Sequence, residues 1–361
     1  SEASVTAQPE GSNMQGLPPA NPGAEVALPA KVAYLKQPHN YPHPVTEVTV
    51  VETHRSWVFL TDQHAYKLKK PGRYAFLDVS TVSARKFYCE EEVRLNRRLA
   101  GDVYIATVPL AVDCAGRLEL GGSGSPVDWL VKMRRLPAQR MLDVAIVRRQ
   151  IPDEQIRAVA QKLAKFYRAA APVEIAPIDY RRGFERDIRA SLGELSRPVF
   201  GLPRDWVEAP CAAQLKLLSQ APALFDQRVQ EGRIIEAHGD LRPEHVCLLE
   251  PEPVIIDCLE FSRELRTLDA AADLAFLAQE CERLGAPQVG QIIFGIYSEV
   301  TGDRPPATLI CFYKSRWACL RAKLCAWHLT DPTCRDPARW SGRAADYLLR
   351  AGRYAAELYC K

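Results

Sequence analysis

The sequence is poor in several features that would have fixed its class at once. No run of about 18 apolar residues occurs, so no membrane-spanning helix is expected. No internal repeat is visible, and no GxxxxGK[ST] phosphate loop. Net charge is also slight: 47 Lys and Arg against 44 Asp and Glu leave +3 over 361 residues. That balance argues against a dedicated nucleic-acid or membrane binder. The first residues, SEASVTAQPEGSN, have neither a basic nor an apolar signal region, and residue 1 is not Met, as processing would leave it. Eleven cysteines are present, yet the count is odd and none forms a CxxC pair. A disulfide framework or zinc site is therefore not expected; reduced, buried thiols in a cytoplasmic protein are. Cys311, Cys319 and Cys325, in one helical stretch, are the weaker option of a redox cluster.

What is present is ordered by position. Residues 1–30 hold five prolines, three glycines and no aromatic residue, so they read as a disordered lead-in. From residue 45 the pattern is that of strands: 45–52, 57–61 and 65–70, then 103–113 and 127–136. In 65–70, Tyr66 and Leu68 share one face and Lys67 and Lys69 the other. A helix is expected over about 80–100, with Phe87, Val93, Leu95 and Leu99 apolar and Glu90, Glu91 and Glu92 among them. The rest reads as mostly helical: 153–171, 181–195, 211–232, 269–284, 308–329 and 341–359. A β-like insert at 234–240, 246–250 and 253–261 interrupts it. The class expected is α+β in two lobes: a lead-in at 1–30, a sheet lobe with one main helix at 31–135, and a larger helical lobe at 136–361.

The insert carries the chemistry-bearing residues. Asp240 and Asp257 each end an apolar strand, and a hairpin between them brings the two carboxylates near one another. One Asp there can accept a proton from a hydroxyl, and the other can hold a hard cation that bridges phosphate oxygens. Both are also ordinary turn formers. Lys67 on a strand, followed by a Glu-rich helix, adds the cation–carboxylate pair of phosphoryl transfer.

These motifs resemble the aminoglycoside phosphotransferase family of the protein-kinase-like superfamily. That family has HGDxxxxN followed by an IDF or IDW segment; here they stand as HGDLRPEH (238–245) and IIDC (255–258). More narrowly, the stretches 41–71, 76–100, 131–137, 238–277 and 312–324 resemble the phosphotransferase half of bifunctional phosphotransferase/P-loop proteins. The resemblance implies a two-lobed kinase-like fold. It implies Asp240 as the catalytic base and Asp257 as a metal ligand. Lys67 would bind the α- and β-phosphates of ATP, with Glu92 as its helix partner and Glu91 as the alternative. Met133 to Leu136, including Arg135, would form the hinge at the adenine. His238 and Asp273 would brace the loop rather than react.

Two departures stand out. The turn Thr53-His54-Arg55-Ser56 has no glycine, which leaves the Ser56 hydroxyl or backbone amides to cover the phosphates. The family's Asn is His245 here, a poorer ligand for Mg²⁺ and better suited to softer metals, so that either His245 accepts Mn²⁺, or only the Asp257 metal site works, or the site is impaired. Glu260 is a candidate for a further metal or substrate contact. Lys314 and Arg321, at i and i+7, are candidates for an anionic substrate group. The function expected is transfer of the γ-phosphate of ATP, with Mg²⁺ or Mn²⁺, to a hydroxyl of a small molecule that can be anionic, with no nucleic-acid or membrane partner. The alternatives are a nucleotide-binding pseudokinase and, more remotely, a metal hydrolase built on His238, Asp240 and His245.

Overall fold

A computed structural model describes residues 26–74, 77–332 and 334–359. They pack as two units. The first runs to Pro137 and takes in Glu260–Ser262; the second comprises Ala138–Leu259 and the chain from Arg263 onward.

The first unit contains α1 (Leu28–Leu35), β1 (Thr49–Glu52), β2 (Ser56–Leu60), β3 (His64–Lys69), β4 (Arg73–Tyr74), β5 (Leu77–Asp78), α2 (Val82–Ala100), β6 (Tyr104–Val112), β7 (Leu118–Leu120) and β8 (Ser125–Arg134). Six strands form one antiparallel sheet in the order β1-β2-β3-β8-β6-β7. The period-2 alternation of β3 decides which face meets what. Tyr66 and Leu68 enter the core with Phe59, Leu110 and Leu130, which leaves Lys67 and Lys69 on the opposite face. Helix α2 is capped by Thr81, whose hydroxyl accepts from the Ala84 N–H. It buries Arg85, Cys89, Glu92, Asn96 and Leu99, one stripe at helical spacing.

Three sequence expectations are corrected here. The disordered lead-in was set at 1–30; residues 1–25 lie outside those described, but residues 28–30 already belong to α1. The sheet lobe thus has a second helix. It is held because Val32 and Leu35 enter the core and the buried Lys31 donates to Asp128 at 2.8 Å, a carboxylate that also accepts from Arg85 at 2.7 Å. The third is β7, a short sixth strand that the strand pattern missed.

The second unit contains α3 (Leu142–Val147), α4 (Asp153–Ala169), α5 (Pro177–Leu195), α6 (Arg204–Gln220), α7 (Ala223–Gln230), β9 (Ile234–Glu236), β10 (Val246–Cys247), β11 (Val254–Ile255), α8 (Arg263–Arg266), β12 (Thr267–Asp269), α9 (Ala270–Arg283), α10 (Pro287–Thr301), α11 (Ala307–Trp327) and α12 (Pro337–Glu357). Helix α9 is buried from Ala270 through Cys281 and forms the centre. The helix expected at 211–232 is two. It starts at Arg204, carries Pro210 inside it, and breaks at Ala221, because Pro222 pushes its predecessor out of the helical region. Helices α3 and α10 were not anticipated. β10 and β11 form the expected hairpin, pairing Val246 with Ile255, whereas β9 pairs with β12. No disulfide joins the ten described cysteines. Of the cysteines in the weaker option of a redox cluster, Cys311 donates to Glu357, while Cys319 accepts from Gln214.

Candidate active site

In the first unit, α2 buries Glu92 beneath the lysine face of β3. Lys67 Nζ donates to Glu92 Oε1 at 2.9 Å, and Lys69 Nζ donates to Glu92 Oε2 at 2.5 Å. Lys69 also donates to Glu260 Oε1 at 2.6 Å. Burial works to depress the Lys69 ammonium, but the Glu260 and Glu92 carboxylates outweigh it and hold the pKa above its usual value. The alternative, Glu91, points away and pairs with Arg94 at 2.7 Å. Lys69 was not singled out from the sequence, although its alternation with Lys67 was the available signal.

Ser56 opens β2 and is buried opposite Lys69. Its backbone closes the glycine-free turn: the Thr53 N–H donates to the Ser56 carbonyl at 2.8 Å, and the Ser56 N–H donates to Thr53 Oγ1 at 3.0 Å. Arg55 at the tip lies 4.5 Å from the Phe261 ring centroid and 5.1 Å from that of Tyr74. Met133 pairs with Ala65 in the sheet. Arg135 donates its backbone N–H to Gln63 and its Nη1 to the Thr61 carbonyl, both at 2.8 Å.

In the second unit, the loop after β9 is braced from below. Asp273, fully buried on α9, accepts from the backbone N–H of His238 and of Gly239 at 3.0 Å, and from the Tyr167 hydroxyl at 2.8 Å. Gly239 has φ +82, and a Cβ there would meet Arg266 Cβ at 2.9 Å, so only glycine fits. His238 Nε2 lies 2.9 Å from the Ile256 carbonyl, which can only accept, so Nε2 carries the proton. Nδ1 then accepts from the Asp240 N–H at 3.3 Å. Burial lowers the His238 pKa, against the opposing pull of Asp273. With both ring nitrogens engaged, His238 is a brace.

Asp240 stands on this loop with its carboxylate about three-tenths exposed. Arg242 grips it with two donors, Nε to Oδ1 at 2.9 Å and Nη2 to Oδ2 at 3.2 Å. Burial works to raise the Asp240 pKa; Arg242, His245 and Arg321 outweigh it and hold the carboxyl below the ordinary aspartate value.

His245 ties the loop to Asp257. Its Nδ1 lies 2.8 Å from the Asp240 carbonyl and donates there; in the neutral imidazole Nε2 then presents a lone pair. That lone pair accepts from Arg242 Nη2 at 3.2 Å and lies 3.3 Å from Asp257 Oδ2. Asp257 follows β11 at φ +60, a strained conformation for a residue with a side chain. An imidazole nitrogen and a carboxylate oxygen 3.3 Å apart would suit a shared divalent cation if Arg242 gave up its hold on the nitrogen. The fit is partial: among the described residues no group of three or more such side chains could hold a metal, so phosphate oxygens and water would complete any shell. The hydrolase alternative, which needs His238 as a ligand, has no support.

Of the substrate candidates, Lys314 is paired with Glu282. Arg321 rests its Nε 3.4 Å from the Tyr347 hydroxyl and 3.5 Å from Glu280 Oε1, while its charge acts on Asp240. Arg242 was overlooked in the sequence. Its place two residues after Asp240 was the only signal, and its side-chain direction is set by the turn that Pro243–His245 makes.

A family model described as "Phosphotransferase enzyme family" matches residues 61–303, a span that includes Lys67, Glu92, Asp240, His245 and Asp257. The chain belongs to this family. Its fold is the kinase-like one that the sequence resemblance implied. Uncharacterized proteins of Mycobacterium tuberculosis and Mycobacterium bovis are 33% identical over 288 residues, covering 78% of this chain and 56% of theirs. The chain spans about half the length of those relatives. Among solved structures, a choline/ethanolamine kinase family protein from Mesorhizobium loti aligns with a TM-score of 0.55 at 16% identity, covering 91% of this chain and 98% of its own. The GDP complex of an aminoglycoside 2'-phosphotransferase IIIa mutant aligns at 0.53 and 14% identity, covering 86% and 93%. At such identities the likeness is one of fold. No helix among the described residues is long and apolar enough to cross a membrane.

Proposed function

We propose that this phosphotransferase moves the γ-phosphate of ATP to a hydroxyl of a small molecule. The observation that carries the reading is the convergence of Asp240 and Asp257 on one imidazole, His245. Lys67, oriented by buried Glu92, would neutralise the α- and β-phosphates. The Thr53–Ser56 turn would lie over them, its own Thr53 and Ser56 amides being engaged within it, and the backbone of Met133 to Leu136 would meet the adenine. Asp257 and His245 would hold Mg²⁺ or Mn²⁺, which supplies charge neutralisation at the phosphates. Asp240 then orients the acceptor hydroxyl and takes its proton, so that catalysis is mainly positioning and electrostatics.

Two guanidinium groups, Arg242 and Arg321, act on Asp240. They favour an acceptor with an anionic group over a polycationic drug. The fold relatives named for choline, ethanolamine or aminoglycosides are therefore guides to chemistry only.

The test is γ-phosphate transfer from ATP, measured across hydroxylated metabolites with Mg²⁺ and then with Mn²⁺. Transfer that is faster with Mn²⁺ is the expected result; equal rates in both metals count against His245 as a ligand. A second reading, a nucleotide-binding pseudokinase, is favoured by the two-point grip of Arg242 on the proposed base. ATP binding without transfer to any acceptor would select it.

A further inference from the structure

Four ionised side chains in the first unit form a string of alternating sign. Lys67 meets Glu92 Oε1 at 2.9 Å, Glu92 Oε2 meets Lys69 at 2.5 Å, and Lys69 meets Glu260 at 2.6 Å. Glu92 is fully buried and Lys69 nearly so, and Lys69 is held between the carboxylates of Glu92 and Glu260. Removing one member of such a set leaves an uncompensated buried charge, so the members move together or not at all.

The two ends of the string differ in kind. Lys67, the most exposed of the two lysines, is the phosphate lysine of the proposed function. Glu260 lies three residues after Asp257, the proposed metal ligand, on the short stretch 260–262 that leaves the second unit's sequence to pack with the first. A second pin holds the same stretch: Phe261 sits under Arg55, at the tip of the turn proposed to cover the phosphates. Three and four residues past the strained Asp257, the chain is thus fixed by an ion pair and a cation–π contact to two elements proposed to handle the nucleotide.

We propose that Lys69 and Glu260 are positioning residues that couple the phosphate lysine to the metal aspartate, so that nucleotide and divalent cation bind cooperatively. The proposal rests on the kinase reading for the identity of its two ligands. Lys69 is not a second phosphate lysine: with both of its carboxylate partners at ion-pair distance and almost no exposure, it has no surface to offer a nucleotide. When phosphate draws on Lys67, Glu92 shifts its charge toward Lys69, and Lys69 carries that bias to Glu260 and the backbone of Asp257. Metal at Asp257 sends the same bias in reverse, as linkage requires.

The test is calorimetric titration of the full chain with ATP, once in EDTA and once in MnCl₂. The ratio of the two Kd values is the coupling factor, and couplings of this type are about 5–150-fold. Lys69→Met and Glu260→Gln should bring the ratio close to one, and Lys69→Arg should retain most of it. If the variants weaken ATP equally in EDTA and MnCl₂, with the ratio unchanged, the residues only hold the fold and the proposal is overturned. Should the parent chain bind no ATP in either buffer, the kinase reading fails by itself. Hydrogen exchange then decides the tether: faster exchange at 257–262 and 88–96 together in Glu260→Gln supports it, and unchanged exchange there overturns it.

Discussion

Two regions of the second unit use the same chemistry, an arginine against aspartates, to opposite ends. In one, Arg228 of α7 donates Nε and Nη2 to Asp269 at 2.7 and 2.9 Å, and Nη1 and Nη2 to Asp303 at 2.6 Å each. Tyr313 and Tyr297 add hydroxyl donors at 2.8 and 2.5 Å, and the Ala271 N–H adds one at 2.8 Å. All of these groups are buried, and the knot is saturated. In the other, Arg242 grips Asp240 with two donors, but the carboxylate is partly open to solvent, and beside it a His245 lone pair faces a carboxylate oxygen of Asp257. Saturated, closed charge holds helices together. Charge that is gripped but still partly open to solvent is poised to take something else.

If that distinction is right, substitutions in the two regions should fail differently. Asp240→Asn should lower the rate of phosphoryl transfer by about 10²–10⁴, the range for a positioned base, with little change in melting temperature. An unchanged kcat would remove Asp240 from the role. Arg228→Met should do the reverse. Two buried carboxylates lose their partner, a cost of about 3–5 kcal/mol in denaturant unfolding, while the fraction that folds transfers phosphate at the parent rate. A stable Arg228→Met protein with a damaged rate would erase the contrast.

A finer effect concerns pH. The Asp240 pKa is depressed, chiefly by Arg242 acting against burial. A depressed carboxyl is ionised over the whole neutral range. Its contribution to stability is present above the unfolded aspartate value and is lost as pH falls from there through the lower folded value. Arg242→Met removes the main opposing cation, so the acid limb of kcat/KM should move to higher pH, by about 1–3 units for a close partner. An unmoved limb would mean that the Arg242 grip is released before the proton moves. Smallest of all, Arg189→Ala breaks an exposed i,i+4 pair with Glu185 and should cost about 0.5 kcal/mol or less, at the limit of what chemical denaturation resolves.

The sequence made the strand face of Lys67 legible because alternation is local, and it made Asp240 and Asp257 legible because both follow apolar runs, although the strands β9 and β11 stop at Glu236 and Ile255, short of them. It also favoured Glu92 over Glu91; the helix phase buries Glu92 against Lys67 and turns Glu91 to Arg94. What stayed hidden was pairing across long separations. Nothing local joins Lys69 to Glu260, 191 residues away, or Arg228 to Asp303, 75 away. Helix α1 escaped for a different reason. Its composition belongs with the proline-rich lead-in, and its place is decided by tertiary contacts of Lys31, Val32 and Leu35. The break between α6 and α7 was within reach, since Pro222 marked it.

The proposed chemistry comes down to nucleotide and metal recognition, which thermal unfolding reads without knowledge of the acceptor, since a ligand that binds the native state raises its stability by mass action. With ATP and MnCl₂ together, the parent chain should melt at a higher temperature than without ligand. Lys67→Met should lose most of that rise, and Asp257→Asn should lose the part that depends on MnCl₂. No rise with ATP in the presence of either Mn²⁺ or Mg²⁺ would contradict the reading at its root.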